Sequence, residues 1–121
     1  MGYVTYNRAA MLESIFGNKN IEKILFYLLV NESCYGMQLS KAFGAALSPF
    51  QKALDRLESG GILVSFLTGK TRVYQFNPRY PFLNELKLFL TKAYEFLPQE
   101  FKERYYEPKI RKRPRRKGKP L

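Results

Sequence analysis

YGMQLSKAFGAALSPFQKALDRLESGGILVSFLTGKTRVYQFNP, residues 35–78, holds two helical segments, a short turn between them and a hairpin. The first segment runs roughly from Tyr35 to Phe43, with Leu39, Ala42 and Phe43 on one apolar face and Gly44 as a C-terminal stop. Gly44-Ala45-Ala46-Leu47 forms the turn. Ser48 followed by Pro49 predicts the next helix start, because a serine oxygen accepts an early backbone N–H and proline at the first helical position loses no bond. That helix carries Ala53, Leu54 and Leu57 inward and stops at Gly60-Gly61. Two β-like runs follow, Ile62–Leu67 and Arg72–Phe76, and Gly69 between them supplies the positive φ of a tight hairpin. Asn77-Pro78 and Pro81 end the second run.

Upstream, Asn7 predicts the cap of a short helix through Phe16, striped by Met11, Leu12, Ile15 and Phe16 and stopped by Gly17. Asn20 predicts the cap of a stronger helix ending near Asn31. Ile21, Ile24, Leu25, Leu28 and Leu29 form its one-sided core stripe. Downstream, residues 82–97 read as a helix with Leu83, Leu86, Leu90, Ala93 and Leu97 on one line and Pro98 as its stop. Phe82, Phe89 and Phe96 recur every seven residues beside that line. So wide an apolar arc fits either deep burial or packing on a second copy. A small body has little interior to hide both faces, so a homodimer through Phe82, Leu86, Phe89, Leu90 and Phe96 is expected.

The 121 residues suit one domain, and a hydrophobic share of 45% is enough for a core. The charge is +11, from 21 Lys+Arg against 10 Asp+Glu. Residues 109–121, KIRKRPRRKGKPL, carry eight Lys/Arg and no acid, which leaves 13 basic and 10 acidic residues, or +3, in 1–108. The expected organisation is a domain at 1–97, a connector at 98–108 and a disordered basic tail at 109–121. Such dense charge suits a polyanion, nucleic acid before an anionic membrane. His is absent and Cys34 is the lone cysteine, which excludes an internal disulfide, a Cys/His zinc site and a histidine base. Cys34 fits a redox sensor or a small hydrophobe. No nucleophile, metal cluster or phosphate-cradling glycine loop is present, so neither an enzyme nor a cofactor is expected. Residues 1–6, MGYVTY, lack the n- and h-regions of a signal peptide, and the longest apolar run, Ile24–Val30, is too short to span a bilayer. A cytoplasmic protein is expected, nucleoid-associated if bacterial.

Residues 35–78 resemble the winged helix-turn-helix of MarR- and ArsR-type bacterial regulators, most specifically in the pattern Ser-Pro-x-x-x-x-Leu-x-x-Leu-x-x-Gly-Gly-Ile-Leu at 48–63. Residues 15–29 resemble the lead helices of the same families. The resemblance implies a mainly α fold with a small two-stranded antiparallel wing. It also implies sequence-specific binding of double-stranded DNA, usually by a dimer. Residues 48–60 would be the recognition helix and 68–72 the wing tip.

The residues supply candidate contacts. Ser48 and Pro49 stand at the expected helix start, where free N–H groups suit a phosphate. Gln51 suits adenine, Arg56 guanine, and Lys52 base or phosphate. Phe50 fits packing on the preceding helix or contact with a thymine methyl. Lys70 and Arg72 suit a backbone or a narrow minor groove. Arg113, Arg115, Arg116, Lys117 and Lys119 lie in a phrase that resembles an AT-hook, except that Lys119 stands where that motif has Arg. Two other roles remain open on sequence grounds, a winged-helix protein-interaction module and an RNA-binding protein.

Overall fold

The computed structural model describes residues 11–108; the Asn7 cap and the whole basic tail lie outside that range. Among the described residues the chain is mainly helical with a two-stranded antiparallel sheet, and no helix is long and apolar enough to cross a membrane.

The order is α1 (Glu13–Phe16), α2 (Lys19–Asn31), α3 (Gly36–Phe43), α4 (Leu47–Ser59), β1 (Leu63–Thr68), β2 (Thr71–Phe76), α5 (Leu83–Tyr94) and α6 (Gln99–Phe101). A π-helical turn, Lys102–Tyr106, follows. Gly17 and Gly44 close α1 and α3 with φ of 73° and 59°, the left-handed geometry that glycine adopts without a Cβ penalty. The α2 cap is Asn18, not Asn20: its side chain accepts the N–H groups of Asn20 at 2.7 Å and Ile21 at 3.3 Å. Asn18 is extended and Asn20 already helical, and only a residue outside the helix can turn its side chain back onto these donors.

The start of α4 also differs from the expectation. Its cap is Ala46, Leu47 is its first residue, and no side chain caps it. Ser48 is therefore inside the first turn rather than before it. Pro49 is tolerated there because the first-turn N–H groups have no intrahelical partner. The earlier start is favoured by the contact between Leu47 and Gly36. A Cβ on Gly36 would lie 2.9 Å from Leu47 Cδ1 and 3.0 Å from Gln51 Oε1, so this glycine lets α4 cross close over the start of α3.

The strands pair from Leu63↔Phe76 to Thr68↔Thr71, leaving a two-residue turn with Gly69 at φ 63°. Cys34 pairs with Tyr74 on the other edge of β2 through reciprocal bonds of 3.0 and 2.8 Å. Tyr74 is thereby pinned between β1 and the residue that leads into α3.

Helix α2 is the centre of the core. Ile24, Leu25, Phe26 and Leu28 are fully buried, walled by Leu39, Phe50, Leu54, Leu57, Leu63 and Leu90. Residues 98–108, expected as a connector, instead form α6 and the π-helical turn and return to α2. Tyr106 is 1% exposed and meets Phe26 edge-on at 5.7 Å, and Asn31 Nδ2 donates to the Tyr106 carbonyl at 2.7 Å. Aromatic burial, not the polar composition of the stretch, decides its conformation.

One carboxylate is buried in this core. Glu22 is 1% exposed; Oε1 accepts the Leu12 N–H at 2.9 Å and Oε2 has no partner. Burial pushes its pKa from 4.5 up to about 7, opposed by the Leu12 N–H and reinforced by Glu13. Cys34 is equally enclosed, and burial pushes its thiol up to about 12. A thiol so protonated is inert, which answers the redox-sensor reading in favour of a small hydrophobe.

Candidate nucleic-acid interface

Helix α4 divides cleanly into two sides. Phe50, Ala53, Leu54 and Leu57 are buried, while Ser48, Pro49, Lys52, Asp55, Arg56 and Ser59 face solvent. The candidate contacts Ser48, Pro49, Lys52 and Arg56 are thus brought together on one exposed edge. Phe50 is not among them. It is fully buried, 5.7 Å from the ring of Phe43, and so packs on the preceding helix rather than meeting a thymine methyl.

Gln51 is half-buried at the border. Its Nε2 donates to the Tyr74 hydroxyl at 3.0 Å and to Asp55 Oδ1 at 3.2 Å. The amide expected to read adenine is occupied within the protein. It links α4 to β2 and holds Asp55 in place beside Arg56.

A second polar chain joins the same elements. Ser65 Oγ donates to Glu58 Oε2 at 2.6 Å, and Arg72 Nη1 donates to Ser65 Oγ at 3.0 Å. Arg72 is exposed and has further N–H groups beyond this anchor, so its guanidinium is held by one corner. Lys70 is exposed in the hairpin turn. The exposed charges of α4 and of the hairpin therefore sit on elements hydrogen-bonded to each other. Sequence reasoning named the charges; the linking residues Ser65, Glu58 and Tyr74 come from remote positions and left no local signal.

The helix expected over 82–97 is shorter, Leu83–Tyr94, so of the three phenylalanines only Phe89 is on it; Phe82 is its N-cap and Phe96 lies in the turn that follows, and all three are exposed, with Leu88 at 71% exposure. Leu90 is fully buried and is not available to a second copy; Leu86 is half-buried against the core. One residue of helix rotation, about 100°, separates Phe89 from Leu90, enough to put one at the surface and the other in the core. The hairpin also exposes Phe66 and Leu67, which the alternation of its strands turns to different faces. Arg113, Arg115, Arg116, Lys117 and Lys119 lie outside the described residues.

No protein-family model, curated protein or solved structure matches the chain.

Proposed function

We propose that the chain is a sequence-specific double-stranded DNA-binding transcriptional regulator of the winged helix-turn-helix type. In this reading α3 and α4 are the helix-turn-helix, α4 lies in the major groove, and the β1–β2 hairpin is the wing. The observation that carries it is the exposed edge of α4, where Lys52 and Arg56 stand clear of the core on a helix hydrogen-bonded to the hairpin that bears Lys70 and Arg72. Bidentate contact from Arg to guanine is the commonest specific readout, and Lys and Arg on a hairpin supply backbone or minor-groove contacts. Phe82, Phe89 and Phe96 support a homodimer, and with it a two-fold symmetric site. Such a regulator works in the cytoplasm, at the nucleoid in a bacterium.

The test is selection of bound sequences from a random duplex library at about physiological salt. Enrichment of a palindromic motif is expected; recovery of unenriched sequence would remove sequence-specific binding. Phe66 and Leu67, exposed on the hairpin, favour a second reading as a protein-interaction module. Failure to bind any duplex, with the fold intact, would select it.

A further inference from the structure

Residues opposite each other in an antiparallel pair alternate: one pair exchanges main-chain bonds, the next points its N–H and C=O groups outward. The Asn77 N–H donates to the Ile62 carbonyl at 2.9 Å, which makes Ile62↔Asn77, and by alternation Val64↔Gln75 and Phe66↔Val73, the bonded pairs. The outward groups of Tyr74, on the β2 edge, are taken by Cys34. The outward groups of Leu63, Ser65 and Leu67 lie on the β1 edge, and among the described residues no hydrogen bond meets them. We infer that this edge pairs antiparallel with the same edge of a second copy, Ser65 opposite the partner's Ser65, to make a four-stranded sheet across a two-fold axis.

Edge strands are commonly guarded by charge, proline or a bulge. β1 reads Leu-Val-Ser-Phe-Leu-Thr, with no charged residue and no proline, and it is paired without a bulge throughout. It also exposes Phe66 at 46% and Leu67 at 60%.

The edge is complementary to itself. A two-fold axis sets a strand against its own reversed sequence, so charges on it would meet their like; β1 brings none. The outward residues are spaced evenly about Ser65. With Ser65 on the axis, Leu63 faces the partner's Leu67, Leu67 faces the partner's Leu63, and every outward N–H and C=O finds a mate. Between these pairs Phe66 falls opposite the partner's Val64, in the position where side chains approach most closely, on the face it shares with Val73. A charged peptide would find no counter-charge on β1, which favours a second copy over a foreign strand of that kind. A strand of this length is about 20 Å long and covers less than the roughly 1,200 Å² of a stable interface. The pairing therefore forms near millimolar concentration, above the range of the α5 contact. The hairpin turns with Lys70 stand at opposite ends of the joined strands.

Two measurements on the full chain, without DNA, test this. The first is sedimentation of Phe89→Glu, which lacks the α5 contact. It is expected to be monomeric at low micromolar and dimeric near millimolar concentration. Adding Phe66→Lys, or Leu67→Pro, which removes an outward N–H, should abolish that dimer. Adding Leu88→Lys, at an exposed position on α5, should leave it. The second is crosslinking of Ser65→Cys and Leu67→Cys chains with a short bifunctional thiol reagent. Cys34 is buried and stays unlabelled. In this register the two 65 positions are about 5.5 Å apart and the two 67 positions about 14 Å. Stronger crosslinking at 65 is expected, although Leu67 is the more exposed and would win in random collision. A Phe89→Glu chain that stays monomeric throughout would overturn the pairing and leave the edge to a foreign strand. So would a dimer that Leu88→Lys abolishes and Phe66→Lys does not, or stronger crosslinking at 67.

Discussion

Gln51 of α4 donates its amide to the hydroxyl of Tyr74 in β2 across 3.0 Å. The bond fastens the helix with the exposed Lys52 and Arg56 to the strand that begins with Thr71 and Arg72. Tyr74→Phe removes the acceptor and leaves the ring in place. We expect a stability loss of about 1 kcal/mol, read as a lower denaturation midpoint at unchanged m value. A midpoint equal to that of the wild type would mean that the bond contributes nothing net.

The buried carboxyl of Glu22 makes stability depend on pH. Its folded pKa of about 7 stands above the ordinary 4.5, so between these values the folded state holds a proton that the unfolded chain has lost. Stability is thus highest below about pH 4.5 as far as this group is concerned, falls as pH rises to about 7 and is flat above. The full span is on the order of 3 kcal/mol. Glu22→Gln keeps an acceptor for the Leu12 N–H and carries no charge. Denaturation midpoints measured from pH 5 to pH 8 should lose this slope in the variant. A slope that persists in Glu22→Gln belongs to another group.

Phe89 and Leu90 are adjacent and should answer substitution differently. Phe89→Glu places a charge on an exposed face and is expected to give a folded monomer from a dimeric wild type. Leu90→Glu buries an unpaired carboxylate where Leu90 is fully enclosed, and is expected to unfold the domain. Sedimentation and circular dichroism of both variants check this. A wild-type chain that sediments as a monomer at high micromolar concentration removes the dimer.

Arg56→Ala should weaken binding to a selected sequence by about 1–3 kcal/mol if the guanidinium makes a bidentate base contact. Equal losses on selected and random duplexes would reassign Arg56 to a phosphate. No loss on either would take it out of the interface.

Deleting residues 109–121 removes eight positive charges and none of the described fold. Charge of this kind supplies affinity and encounter rate more than base discrimination. Binding isotherms at several salt concentrations should show a flatter salt dependence and weaker binding to every duplex, with a nearly constant ratio of specific to random affinity. A collapse of that ratio alone would mean that the segment reads sequence.

The parts of the fold that were legible in the sequence are those set by short-range rules. The stops at Gly17 and Gly44 and the turn at Gly69 depend on neighbours within a few residues, and all are in the structure. Ile21, Ile24, Leu25 and Leu28 of the α2 stripe are buried as expected, but Leu29 is half-buried and Glu22, Phe26 and Tyr27 are buried as well, so α2 is not one-sided. Ser48-Pro49 misled by two residues because its local signal competes with the packing of Leu47 on Gly36. The burial of Glu22 was illegible, since its enclosure comes from Leu12 and the core around Tyr106. The fold of residues 98–108 was hidden for the same reason. In the candidate site, the exposed Lys52, Arg56, Lys70 and Arg72 followed from helical phase and hairpin position. The internal engagement of Gln51 did not, because Tyr74 lies 23 residues away.

The bond from Asn31 to the Tyr106 carbonyl closes a loop of 75 residues, and with it the aromatic centre around Phe26. A ribosome delivers the chain N-terminus first. Helices α1 to α5 and the whole hairpin therefore emerge before the residue that completes their shared core. A nascent chain stalled ahead of Tyr106 exposes Phe26 and Phe43 to its surroundings, the kind of surface that chaperones bind and that aggregates at high concentration.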